Sequence, residues 1–138
     1  MSLKLMNFTI YMYRASKIKI SFNIFTFQRA SVREDVLNIV VFALLTFPSY
    51  EFDLKNIAAT IVPTLVDPKR RVRQASQECV AILAAFMGPT KAAPLIRSIE
   101  LLESHFEHGT GVLNAVQVRF MKFILLVASC HYAFAYKT

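Results

Sequence analysis

Asp67 to Gly88 reads DPKRRVRQASQECVAILAAFMG. An aspartate and a proline open the stretch, basic residues fill four of the next five positions, and apolar residues then recur at helical spacing. Asp67 is suited to cap the helix, Pro68 to stand in its first turn, and Gly88 to stop it. The cluster Lys69, Arg70, Arg71 and Arg73 either pairs and caps the helix start or meets an acidic partner. Most of the functional reading turns on that choice.

The same pattern recurs on both sides. Val32-Arg33, Val72-Arg73 and Val112-Leu113 lie forty residues apart each time, and Ala75 and Ala115 also coincide. SVREDVLNIVVFALLTF, RVRQASQECVAILAAF and GVLNAVQVRFMKFILL share an apolar helical face when superposed. Ser31 and Glu34 read as a capping box for the first of these helices. FPSYEFD (Phe47 to Asp53) ends it, and a second helix is predicted over 54–66, kinked or shortened by Pro63. A third runs from about Pro68 to Met87, a fourth lies in KAAPLIRSIELLES, HFEHGTG forms a loop, and a fifth spans 112 to about 129. Paired helices with a period near forty are the size of HEAT and armadillo units. The expected fold is all-α, an α-solenoid of HEAT-type helical hairpins over residues 31–130, with a tail at 131–138.

Residues 1–30 read differently. KIKISFNIFTF (Lys17 to Phe27) alternates apolar and polar side chains, the period of a half-buried strand. A short hairpin or a disordered extension both fit, so this segment is expected to be atypical, β-like or disordered. It holds Lys4, Arg14, Lys17, Lys19 and Arg29 and no acidic residue. That bias also suits a transit peptide, or a non-native or alternative start, although the alternation is wrong for an amphipathic helix.

Composition narrows the functional classes. In 138 residues, 55% are hydrophobic and 18% charged, so the chain can fold, and it carries faces that expect covering. The net charge is +7, yet the 108 residues after Ala30 hold eleven basic and nine acidic groups. A concentrated basic face for nucleic acid is therefore not expected. Three glycines leave little scope for phosphate-cradling loops, and neither a nucleophile motif nor paired carboxylates occur, so no enzyme, cofactor or small-molecule substrate is expected. His105 and His108 lack the further ligands that a metal site needs. Two cysteines in apolar stretches, Cys79 and Cys130, and no secretory leader point to free thiols in a reducing compartment. FMKFILLVASCHYAFAY (Phe120 to Tyr136) is seventeen residues with a lysine and a histidine, short for a membrane span, and reads better as a repeat helix with an uncovered outer face.

Asp67, Val72-Arg73 and Pro63 in the preceding helix resemble a HEAT repeat, in which a turn aspartate and an arginine of the second helix form ladders between neighbouring repeats. SVREDVLNIVVFALLTFPSYEFDL, LVDPKRRVRQAS and GTGVLNAVQVRF together are similar to a TOG domain of the crescerin group, the TOG-array regulators of axonemal microtubules, over about residues 31–119. A full TOG domain has about six HEAT repeats and this chain has room for two and a half, so a truncated form is expected. The resemblance implies tubulin or microtubules as partner, met by the turns between paired helices, in support of ciliary microtubule assembly. It implies a place in the cytoplasm, cytoskeleton and cilium or axoneme. Asp67, Arg73 and Arg33 are then the structural ladder, and Lys69, Arg70 and Arg71 the candidates for tubulin contact. Exposed basic residues are ordinarily only solvated, and a generic HEAT scaffold without tubulin affinity is the competing reading. Cations in a first helical turn oppose the helix dipole, so Lys69 and Arg70 need a reason to be there.

Overall fold

The structure, a computed structural model, describes residues 9–12, 18–21 and 28–135. Strands β1 (Thr9–Met12) and β2 (Ile18–Ser21) pair antiparallel with Ile10 opposite Ile20. The hairpin alternative for the N-terminal segment thus holds for these eight residues, and the remainder of residues 1–27 lies outside the described ones. From residue 28 onward the described chain contains no strand.

Helix α1 (Ala30–Thr46) starts earlier than the capping-box reading required. Arg29 takes the N-cap position, its side chain makes no cap hydrogen bond, and Ser31 falls inside the first turn. The reason is tertiary: Glu34, the other half of the expected box, faces Arg71 of a later helix instead. Phe47 leaves the helix in an extended conformation, and a 3₁₀ turn (Ser49–Glu51) leads to Asp53. Asp53 caps α2 (Leu54–Ile61) by accepting a hydrogen bond from the Asn56 amide.

Pro63 then acts as expected. It cannot donate to the α-helical ladder, so α2 gives way after Ile61 to a 3₁₀ turn over Val62–Val66. Two hydroxyls lock this turn to the next helix. Thr64 donates its one hydroxyl proton to the Ile61 carbonyl at 2.6 Å, so Ser76 must donate to Thr64 Oγ1, also at 2.6 Å. Both residues are fully buried, and neither is left without a partner.

Helix α3 (Arg70–His105) is two arms meeting at Gly88. Gly88 has φ 79° and ψ 168°, a conformation that side chains resist, and the following Pro89 requires an extended residue before it. The break expected from sequence therefore stands, although the two arms abut with no loop between them. A short 3₁₀ turn (Glu107–Gly109) leads to α4 (Val112–Ala135), which continues through the first five residues of the segment read as a tail.

The core forms where these helices stack. Val36, Leu37, Val40 and Leu44 of α1 meet Ile57, Ile61 and Leu65, then Val72, Val80 and Leu83 of the first α3 arm. Leu95, Ile99, Val112 and Val116 extend it toward α4, and Phe86 meets Phe123 edge-on at 6.1 Å. Cys79 is wholly buried in this core; desolvation, with Glu78 adding to it, pushes its thiol far above the ordinary range. Cys130, read as another small hydrophobe, is exposed on α4. Beyond Phe123 the described side chains of α4 are exposed, through Cys130.

Sequence length alone had argued against a membrane span at the C-terminus. The helix is longer than that reading allowed, because it begins at Val112. By length and composition both α3 and α4 could cross a membrane; α3 is broken at Gly88, and only 11% of the apolar window in α4 is buried.

Candidate functional site

Helix pairing brings three turns to one edge: residues 28–30 before α1, residues 66–69 before α3, and residues 106–111 before α4. The 3₁₀ turns that precede α3 and α4 touch one another. Arg33, one turn into α1, ties the first of these to the second. Its Nε donates to Asp67 Oδ2 at 2.9 Å, Nη2 to Asp67 Oδ1 at 3.1 Å, and Nη1 to the Gln28 carbonyl at 3.0 Å. A bidentate, planar match of this kind fixes orientation as well as distance.

Asp67 has a second task. Its Oδ1 accepts the Lys69 amide at 2.9 Å, which closes the turn and places negative charge near the start of α3. It is not the N-cap residue itself. That position is Lys69, in extended conformation, and Pro68 lies outside the helix. Arg73 reaches back over the same turn, donating to the Asp67 carbonyl at 2.7 Å and the Pro68 carbonyl at 3.0 Å. Arg33, Asp67 and Arg73 thus form one connected network, in which Arg33 and Asp67 are buried and Arg73 is half-buried.

Three cations remain at the rim. Arg71 pairs with Glu34 of α1, Nε to Oε2 at 3.0 Å, while its side chain stays 76% exposed. Lys69 and Arg70 are exposed, and no side-chain hydrogen bond or ion pair engages either among the described residues. The first turn of α3 contains no acidic residue to offset them. Two positive side chains therefore stand beside the positive end of a helix, a placement that costs stability and attracts anions.

The third turn has a different character. Glu103 accepts the Leu113 amide at 2.9 Å and so is spent on the start of α4. His105 Nδ1 lies 2.8 Å from both Ser104 Oγ and the Leu101 carbonyl, a local arrangement. Among the described residues no group of three metal-ligating side chains occurs. On this edge Lys69 and Arg70 are the exposed cations that no side-chain partner engages among the described residues. Sequence reasoning missed the Glu34–Arg71 pair and the Thr64–Ser76 bond. Each joins residues on different helices, and only the helix packing could have revealed it.

No family model matches the chain. It is 46% identical over 92 residues to the human TOG array regulator of axonemal microtubules protein 1, a match that covers 67% of this chain and 5% of that protein. The mouse protein of the same name matches equally. The Crescerin-like protein che-12 of Caenorhabditis elegans is 29% identical over 98 residues, 71% of this chain and 8% of its own length. The chain therefore spans a small fraction of the relatives it matches. Among solved structures, one described as "Crescerin uses a TOG domain array to regulate microtubules in the primary cilium" aligns with a TM-score of 0.59 at 40% identity. It covers 72% of this chain and 40% of that one. Taken with the forty-residue helical repeat and the Arg33–Asp67 link between successive helix pairs, these likenesses make the helical part of the chain a partial TOG domain built of HEAT repeats, similar to those of the crescerin group.

Proposed function

We propose that this chain binds tubulin through the turn at Asp67–Arg71 and supports the assembly of ciliary, axonemal microtubules, acting in the cytoskeleton and cilium. One observation carries the reading: Lys69 and Arg70 are exposed and unneutralised on the edge where the turns gather, while the neighbouring Arg33 and Arg73 are consumed by the fold. An acidic partner surface would relieve the electrostatic cost of that placement and be steered to it. Arg71 contributes less, because Glu34 already neutralises it. The names of the relatives, which speak of axonemal microtubules and the primary cilium, agree with this reading. The mechanism is non-covalent, with no cofactor, and the tubulin is held along a narrow edge.

Gel filtration of the chain with unpolymerised tubulin tests the proposal. The chain co-elutes with tubulin, and the double charge reversal K69E/R70E abolishes co-elution while leaving helical circular dichroism unchanged. Co-elution that survives the reversal would move the contact away from this turn, and a folded chain that elutes apart from tubulin would favour the scaffold reading, in which a different protein partner sits on the helical face.

A further inference from the structure

We infer that Glu34 is a built-in competitor for Arg71, holding this arginine while the turn is empty and releasing it to a partner carboxylate. The inference rests on the proposed tubulin contact and names a residue that tunes the same site. Its basis is the geometry of one ion pair. Arg71 Nε lies 3.0 Å from Glu34 Oε2, with the arginine side chain 76% exposed and the glutamate 21%. Arg33 grips Asp67 through two hydrogen bonds, whereas Arg71 makes no side-chain hydrogen bond among the described residues. The buried pair is therefore fixed and the rim pair is exchangeable, because exposed ion pairs without such alignment contribute little.

The repeat does not require this pair. Forty positions on, Val32-Arg33 returns as Val72-Arg73, but Glu34 gives way to Gln74 and then Asn114. Arg71 corresponds to Ser31 and Gly111. The other copies therefore pack their helices without either charge at these positions. Arg71 follows Arg70 in the first turn of α3, beside the two cations that no side-chain partner engages. A partner that presents a carboxylate in two-point alignment displaces Glu34 and gains Arg71 as a further contact. A partner with a sparser acidic surface leaves Arg71 paired and meets only Lys69 and Arg70. Glu34 thereby lowers affinity for every acidic surface and discriminates among them.

Titration calorimetry of the full chain with unpolymerised tubulin tests this with four variants. Glu34→Gln removes the competitor and installs the residue that the middle copy carries at this position, so helical circular dichroism stays unchanged. It is expected to tighten binding about two- to fivefold. Asp35→Asn removes the same charge from an exposed neighbour on α1 that joins no ion pair among the described residues, and is expected to change binding far less. Arg71→Gln alone weakens binding slightly, and in the Glu34→Gln background it cancels the gain. Three results would overturn the inference. One is Glu34→Gln leaving binding unchanged or weaker while K69E/R70E abolishes it, which makes the pair a staple between α1 and α3 and leaves the tubulin contact standing. Another is an equal gain in Asp35→Asn, or a gain that survives Arg71→Gln, which reduces the effect to net charge. The last is no binding by the unmodified chain or any variant, which overturns the tubulin contact as well.

Discussion

Two arginines in equivalent repeat positions, Arg33 and Arg73, end up with different work, and the difference lies in what they face. Arg33 is nearly buried and meets a carboxylate that is more buried still, with side-chain exposures of 10% and 2%. Removing one member of such a pair strands the other charge in a poorly solvated site. Arg33→Met is therefore expected to lower stability by about 3–5 kcal/mol. Combined with Asp67→Asn, which removes the stranded charge and keeps an acceptor for the Lys69 amide, the loss shrinks. Urea denaturation followed by circular dichroism measures both; a double variant as unstable as the sum of the single variants would show that the two residues act separately. Arg73 donates to two backbone carbonyls at the turn and pairs with no carboxylate among the described residues, so its loss is cheaper. Lys69→Glu and Arg70→Glu place acid near the start of α3 and are expected to be neutral or to stabilise by about 0.3–1 kcal/mol each. Loss of tubulin binding in that double variant would then have no folding explanation.

At the level of elements, Gly88 carries the angle between the two α3 arms. A Cβ built there meets no atom within 4 Å, so the constraint is conformational and not steric. Gly88→Ala is expected to cost about 1–3 kcal/mol through strain at φ 79°, visible as a lower urea midpoint with an unchanged slope. A change in slope would mean that the arms had straightened and the packing had altered. Gly88 was legible in the sequence because a glycine before a proline is a local signal. The forty-residue period was also legible, since burying one helical face imposes it at every copy. Helix starts were less so. Ser31 and Asp67 both look like caps, yet Arg29 and Lys69 hold those positions, because Glu34 and the Asp67 carboxylate are drawn to arginines on other helices. The candidate site followed the same rule. Exposure of Lys69 and Arg70 could be read from their turn, whereas the neutralisation of Arg71 by Glu34, thirty-seven positions away, could not.

Over the whole molecule, each helix pair is stabilised mainly by its neighbours, so cohesion should grade along the solenoid instead of being uniform. The first α3 arm has neighbours on both sides: α1, α2 and the preceding 3₁₀ turn on one, the second arm and α4 on the other. Val72, Cys79, Val80 and Leu83 there are completely buried. Helix α4 is packed only along Val112, Val116 and its half-buried Phe120 and Phe123, and its described side chains from Ile124 to Cys130 are exposed. Backbone amides in residues 124–130 are therefore expected to exchange at least 100-fold faster than those in 75–83, equivalent to an opening energy lower by about 2.7 kcal/mol. Hydrogen exchange read by mass spectrometry on dilute protein tests the gradient. Uniform exchange across α1, α3 and α4 would mean that the chain opens as one cooperative unit, and that the neighbour-by-neighbour account of its stability is wrong.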